Sequence, residues 1–148
     1  MTAATVEQVE QIPRGNLRVP RADFASVWAT AARLNAAGSE VKGPDWYAGG
    51  VAATCQWLAR AMYTPPWGPP RPPRTPATGT RQFAFEELIE REYLAAERLP
   101  ERRPELLTSQ PGWCEGIRAT LRWAWRHDGP PPFDGDGRPT AWNPPANR

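Results

Sequence analysis

Three arginines, Arg118, Arg122 and Arg126, recur at intervals of four residues beside Trp125. On a helix, that spacing lines them up along one face. Cations next to an aromatic ring can grip phosphates and stack a base, which makes the four residues a candidate nucleic-acid or partner contact. The plainer reading is a solvated face whose arginines pair with Glu115 and with acids of the preceding helix. It is the preferred one, because exposed ion pairs are commonplace.

Glu86, Glu87, Glu90, Glu92 and Glu97 cluster upstream. Clustered helical glutamates can bridge a pair of metal ions, but that chemistry also needs Glu-x-x-His elements. The chain has one histidine, His127, so no metal site and no cofactor is expected. Glu87 and Arg91 read instead as an ordinary i,i+4 pair. His127, next to Asp128, could serve as a general base, yet a cation at a helix C-terminus is favourable without any catalysis. No serine or cysteine sits in a recognisable nucleophile setting, so the reading leans away from an enzyme. Asp134-Gly135-Asp136-Gly137 resembles the start of a calcium loop. Arg138 takes the next ligand position and no glutamate closes the loop, so the segment reads as a turn.

Seven prolines fall between residues 64 and 79. Within them, Arg71 and Arg74 are three apart and would project from one side of a polyproline helix, a candidate partner-binding linker. The competing reading is a semi-rigid spacer.

These groups must be positioned by helices. Phe24, Val27, Trp28, Ala31 and Leu34 form one apolar stripe, predicting a helix over Arg21–Ala37 that Gly38 ends. A second is expected over Asp45–Tyr63, with Asp45 accepting the orphan amides at its start. The third spans Phe83–Leu99 and stops at Pro100, with a short turn at Pro104–Leu107. In that helix Glu92 falls on the same side as Leu88, Ile89 and Leu99. The fourth covers Pro111–Arg126, with Pro111 suited to the first helical position. Residues 1–20 read as a flexible arm with one helical turn near Val6–Gln11, and 134–148 as an irregular tail.

A shift of 66 residues lays the second of these helices on the fourth. Tyr47 meets Trp113, Gly50 meets Gly116, Trp57 meets Trp123 and Arg60 meets Arg126. Over 47–67 there are seven identities in twenty-one positions, where average usage gives roughly one or two. A shift of 65 aligns the preceding helices, Phe24 on Ile89 and Trp28 on Tyr93. The expected fold is all-α: a four-helix domain from a tandem duplication of a helical hairpin, with a pseudo-two-fold axis. The hairpins are residues 21–67 and 83–133, joined by a proline-rich linker over 68–82. Tyr47, Gly50, Trp57, Trp113, Gly116 and Trp123 are assigned to packing between the repeats. Glycine within a helix costs about 1 kcal/mol relative to alanine, so its recurrence implies a close crossing. The arginine stripe is absent from the first copy, where Ala52, Gln56 and Arg60 stand instead.

Composition agrees with a single folded domain. The chain has 148 residues, 40% hydrophobic, with 19 prolines and 8 tryptophans. Seventeen of its eighteen basic residues are arginine, a bias that codon usage in a GC-rich genome explains. Net charge is +2, too small to imply a polyanion partner. No apolar run reaches membrane-spanning length and the N-terminus does not resemble a secretory signal, so a cytoplasmic protein with free Cys55 and Cys114 is expected. The leading functional expectation is a non-enzymatic helical protein-interaction module, a small adaptor or regulator. Two alternatives stand beside it. One is a nucleic-acid-associated protein using the arginine stripe. The other is a ligand binder or enzyme with an aromatic pocket between the repeats.

Overall fold

A computed structural model describes residues 5–41, 43–62 and 64–143. Among them the chain is all-α. The helices are α1 (Val6–Glu10), α2 (Arg21–Val41), α3 (Trp46–Leu58), α4 (Glu86–Arg102), α5 (Leu106–Ser109) and α6 (Trp113–Ala124). A 3-10 turn covers Arg14–Asn16, and the extended pairing among the described residues is confined to two isolated bridges. No helix among them is long and apolar enough to cross a membrane.

Helices α3 and α6 cross at the centre, with α2 against α3 and α4 against α6. The crossing is close because both helices present glycine. A β-carbon on Gly50 would lie 2.6 Å from the Trp113 carbonyl oxygen, and one on Gly116 would overlap the carbonyl oxygen of Tyr47. Two buried threonines stay satisfied beside this contact. Thr54 Oγ1 donates to Gly50 O and Thr120 Oγ1 to Gly116 O, each at 2.8 Å. Nearly all of α3 is buried, as a helix apolar on every side requires. The rings of Tyr47, Trp57 and Trp123 are core. Phe24 of α2 stacks on Trp123 with centroids 6.4 Å apart, and Trp57 Nε1 donates to Gln82 O at 2.8 Å. Cys55 and Cys114 are buried free thiols.

Several boundaries differ from the sequence reading, each for a local reason. Helix α2 runs through Gly38 to Val41, since glycine permits a stop without forcing one; Gly43, at φ 80°, is the residue that takes the left-handed conformation. Helix α3 ends at Leu58 because Arg60 adopts φ 58°; Tyr63, its expected end, lies outside the described residues. Pro100 sits inside α4. It forfeits one hydrogen bond in the last turn, and Arg103 N closes the helix onto Leu99 O at 2.8 Å. Pro111 is not in α6, whose cap is Gly112 at φ 97°. The expected turn at Pro104–Leu107 is the one-turn helix α5, set slightly later.

The arm and tail pack rather than hang free in their described parts. Ile12, Asn16, Leu17 and Val19 are buried. Asn16 Nδ2 donates to Leu58 O at 2.8 Å and to Ala84 O at 3.3 Å, and Arg18 N donates to Ala124 O at 2.7 Å. One short segment therefore caps the C-termini of both central helices, whose last carbonyls otherwise lack partners. At the other end, Tyr47 OH donates to Pro132 O at 2.7 Å, Phe133 meets the ring edge-on, and Trp142 stacks on it at 6.1 Å. Asp134 Oδ1 accepts from Asp136 N and Arg138 N, both at 2.9 Å, so the aspartate-glycine run forms a turn.

Candidate functional site

The proline-rich linker is folded where a bare spacer was the alternative. Arg74 and Arg81 pair in an antiparallel bridge that closes a turn over Thr75–Thr80. Thr75 N donates to Thr80 O at 2.6 Å, and Gly79 supplies the positive φ of 76° that the turn needs. The turn is latched to the core by Glu92 of α4, which is 1% exposed. Glu92 Oε1 accepts from Ala77 N (2.9 Å) and Thr78 N (3.1 Å), and Oε2 accepts from Thr78 Oγ1 (2.8 Å). These bonds fix the neighbouring hydroxyls. With its proton on Glu92, Thr78 must accept from Thr75 (2.8 Å); Thr75 must then accept from Thr80 (3.1 Å). A carboxylate taken out of water needs such a full set of donors.

Behind this turn lies a groove of about 410 Å³, within the range of ligand-binding cavities. Its floor is Ala53 of α3, Leu99, Leu106 and Trp113. Gln56 and Gln110 add amides, and Arg74, Arg81 and Arg103 supply three cations. Among the described residues that line it, none is acidic. Arg74 donates to Gly79 O at 2.7 Å, and Arg81 to Pro72 O at 3.2 Å; these bonds brace the turn, and the exposed Arg74 fork has more donors than this one bond uses. Arg103 pairs with Glu105 at 2.9 Å on the surface, and that hydrogen bond lowers the carboxyl pKa of Glu105. Exposed pairs of this kind are weak and exchangeable. Trp113 is partly buried, edge-on to Trp46 at 6.2 Å.

The arginine stripe of α6 is differently placed. Arg122 makes a two-pronged pair with Glu97 (2.6 and 2.7 Å), which raises the arginine pKa. Arg126 pairs with Glu90 at 2.7 Å and lies over Tyr93, and Trp125 Nε1 donates to the same Glu90 at 2.9 Å. Arg18 from the N-terminal segment covers the Trp125 ring at 4.3 Å. Arg118 lines a smaller hollow of about 130 Å³ with Glu115 and Asp128. Arg122, Arg126 and Trp125 are thus engaged with α4 and the arm, while Arg118 is not.

Of the sequence-derived candidates, Arg74 and Trp113 come together at the groove. Arg71 is exposed and does not line it; Tyr47, Trp57 and Trp123 fill the core, and Gly50 and Gly116 make the crossing. His127 is exposed at the end of α6, at φ 53°. Among the described residues no three His, Cys, Asp or Glu side chains are placed to hold a metal ion. Arg81, Arg103, Gln56, Gln110 and Glu92 had no assigned role in the sequence reading. Glu92 did carry a signal, a glutamate on the same side of its helix as Leu88, Ile89 and Leu99. A scan against protein-family models and searches of curated proteins and of solved structures find no match to this chain.

Proposed function

We propose that the chain is a non-catalytic protein-interaction module, an adaptor or regulator, whose partner docks in the groove between α3, the α4–α5 corner and the Thr75–Thr80 turn. One observation carries the reading. The Glu92 latch turns a proline-rich stretch into a fixed wall, so the groove exists before any ligand arrives. Preformed walls reduce the ordering cost of binding. An apolar floor under a polar rim is also the anatomy of a protein interface. The nucleic-acid alternative is less well supported, because Arg122 and Arg126 are already paired with carboxylates. The aromatic pocket between the repeats is less well supported too, since Tyr47, Trp57 and Trp123 are buried in the core.

We further infer that residues 21–67 and 83–133 are two docked copies of one hairpin. Three equivalences at a shift of 66 support this. Gly50 and Gly116 each abut the other helix's backbone. Thr54 and Thr120 each bond back to those glycines. The Leu58 and Ala124 carbonyls are both capped from the N-terminal segment. On that reading, the arginine-lined groove belongs to the irregular features that differ between copies.

The groove is tested by selecting random displayed peptides on the wild-type protein and on Ala53→Trp, which places a ring on the groove floor. Peptides that bind the wild type and lose the variant support the assignment. Peptides indifferent to the plug, or no enrichment at all, overturn it.

A further inference from the structure

The charge and shape of the groove also specify what it would hold. Its three cations come from separate segments: Arg74 and Arg81 from the two sides of the turn, Arg103 from the end of α4. Arg74 and Arg103 are exposed at the rim, while Leu99 and Leu106 are buried on the floor and Trp113 is half-buried. The other polar liners are the amides of Gln56 and Gln110 and the threonines of the turn. With no carboxylate among the described lining residues, an incoming anion meets the guanidiniums of Arg74 and Arg103, the latter paired with Glu105. A bare inorganic anion would leave the apolar floor unused, and a plain apolar segment would leave the rim unused. A ligand matching both has a flat or branched apolar anchor with carboxylates on either side.

Resting on the assignment of the groove as the docking site, we propose that its occupant is an acidic peptide segment of a partner protein, with one aromatic residue between carboxylates. The ring lies on Ala53, Leu106 and Trp113, and the flanking acids meet Arg74 and Arg103. Arginine is suited to this because its fork binds a carboxylate through two parallel hydrogen bonds. The Glu105 carboxylate, now holding Arg103, is displaced by the partner's own.

The test is calorimetric titration of acetyl-Glu-Asp-Phe-Glu-Asp-amide into the full chain. Comparison ligands are the same peptide with alanine for phenylalanine, a Lys-Arg-Phe-Arg-Lys peptide, and free 2-naphthoate. The Trp113 indole NMR signal reports where each ligand sits. The acidic aromatic peptide should bind and move that signal. Its affinity should fall about tenfold or more with the alanine peptide, and likewise in Arg103→Glu and in Arg74→Glu. Arg103→Glu keeps the test valid should the turn not tolerate a change at Arg74. Equal or tighter binding of the basic peptide at the Trp113 site would overturn the acidic class while leaving the groove assignment standing. Naphthoate binding as tightly as the peptide would overturn the peptide source in favour of a small aromatic acid. If no ligand moves the Trp113 signal, this inference and the groove assignment both fail.

Discussion

Gly50 and Gly116 each occupy the place where the other's helix brings its backbone closest: a β-carbon on Gly50 would sit 2.6 Å from the Trp113 carbonyl oxygen, and one on Gly116 would overlap that of Tyr47. Alanine would raise the helix propensity of either segment by about 1 kcal/mol. The obstacle, however, is backbone, which cannot rotate away. Gly50→Ala and Gly116→Ala should therefore each destabilise the protein, by about 1–3 kcal/mol as for other overpacked cores. Denaturant unfolding of the two variants checks this. An increase in stability for either would mean that the helices are further apart than described.

The Glu92 latch predicts a local effect larger than its global one. Glu92→Gln keeps one oxygen for the Ala77 and Thr78 amides but sets an NH2 group against the Thr78 hydroxyl. The Thr78 hydroxyl must turn to accept from that group, which reverses the Thr75 and Thr80 hydroxyls, and the exchange of charge-assisted for neutral hydrogen bonds should cost about 1–2 kcal/mol. Amide hydrogen exchange at Ala77, Thr78 and Thr80 should accelerate while the α3 amides stay protected. Unchanged exchange in the turn would show that prolines alone hold it.

Tyr47 gives a pH signature. Burial raises its phenol from 10.0 to about 12. Between those values the unfolded chain loses a proton that the folded chain keeps, so this contribution is complete below pH 10 and lost as pH rises toward 12. Its full size is about 3 kcal/mol. Tyr47→Phe should lower stability at neutral pH by about 1–2 kcal/mol, because the buried Pro132 carbonyl loses its donor. It should also flatten the fall in stability at alkaline pH. Parallel pH profiles for the variant and the wild type would contradict the burial of this hydroxyl.

The arginine stripe of α6 predicts a negative result and a small positive one. With Arg122 and Arg126 paired to Glu97 and Glu90, the chain should not retard a short DNA or RNA duplex at low salt. Arg122→Ala should lower stability by less than about 1 kcal/mol, as for exposed pairs. Retardation that weakens steeply with added salt and disappears on reversing Arg122 and Arg126 would restore the nucleic-acid reading.

The sequence made the helices legible and left their surroundings obscure, for identifiable reasons. Phe24, Trp28 and Ala31 announce α2 through their spacing, because an amphipathic stripe is written locally. The stop of that helix is less legible, since Gly38 and Gly43 are equally able to end it and local spacing does not choose between them. Pro100 misled in the same way: near a C-terminus its missing N–H costs a single bond. In the irregular segments, proline and glycine mark where regular structure ends. They do not indicate what the loop then touches. Asn16 reaching Leu58, Tyr47 reaching Pro132 and Glu92 reaching Thr78 are pairings across distant sequence. The groove is harder still. Its lining comes from α3, the turn, the end of α4, α5 and the first residue of α6, and no spacing rule links Ala53 to Arg74 to Arg103. Glu92 was the nearest thing to a clue: a carboxylate on an apolar face must find donors, and they are in the linker.

The central claim is that a partner segment lies on the groove floor. Intermolecular nuclear Overhauser effects, measured on the protein with a peptide selected on the wild type, test it most directly. The account predicts contacts from the peptide's ring to the methyls of Ala53 and Leu106 and to the ring of Trp113. Contacts to Trp67 or Trp125 instead, with none at Ala53, would contradict it.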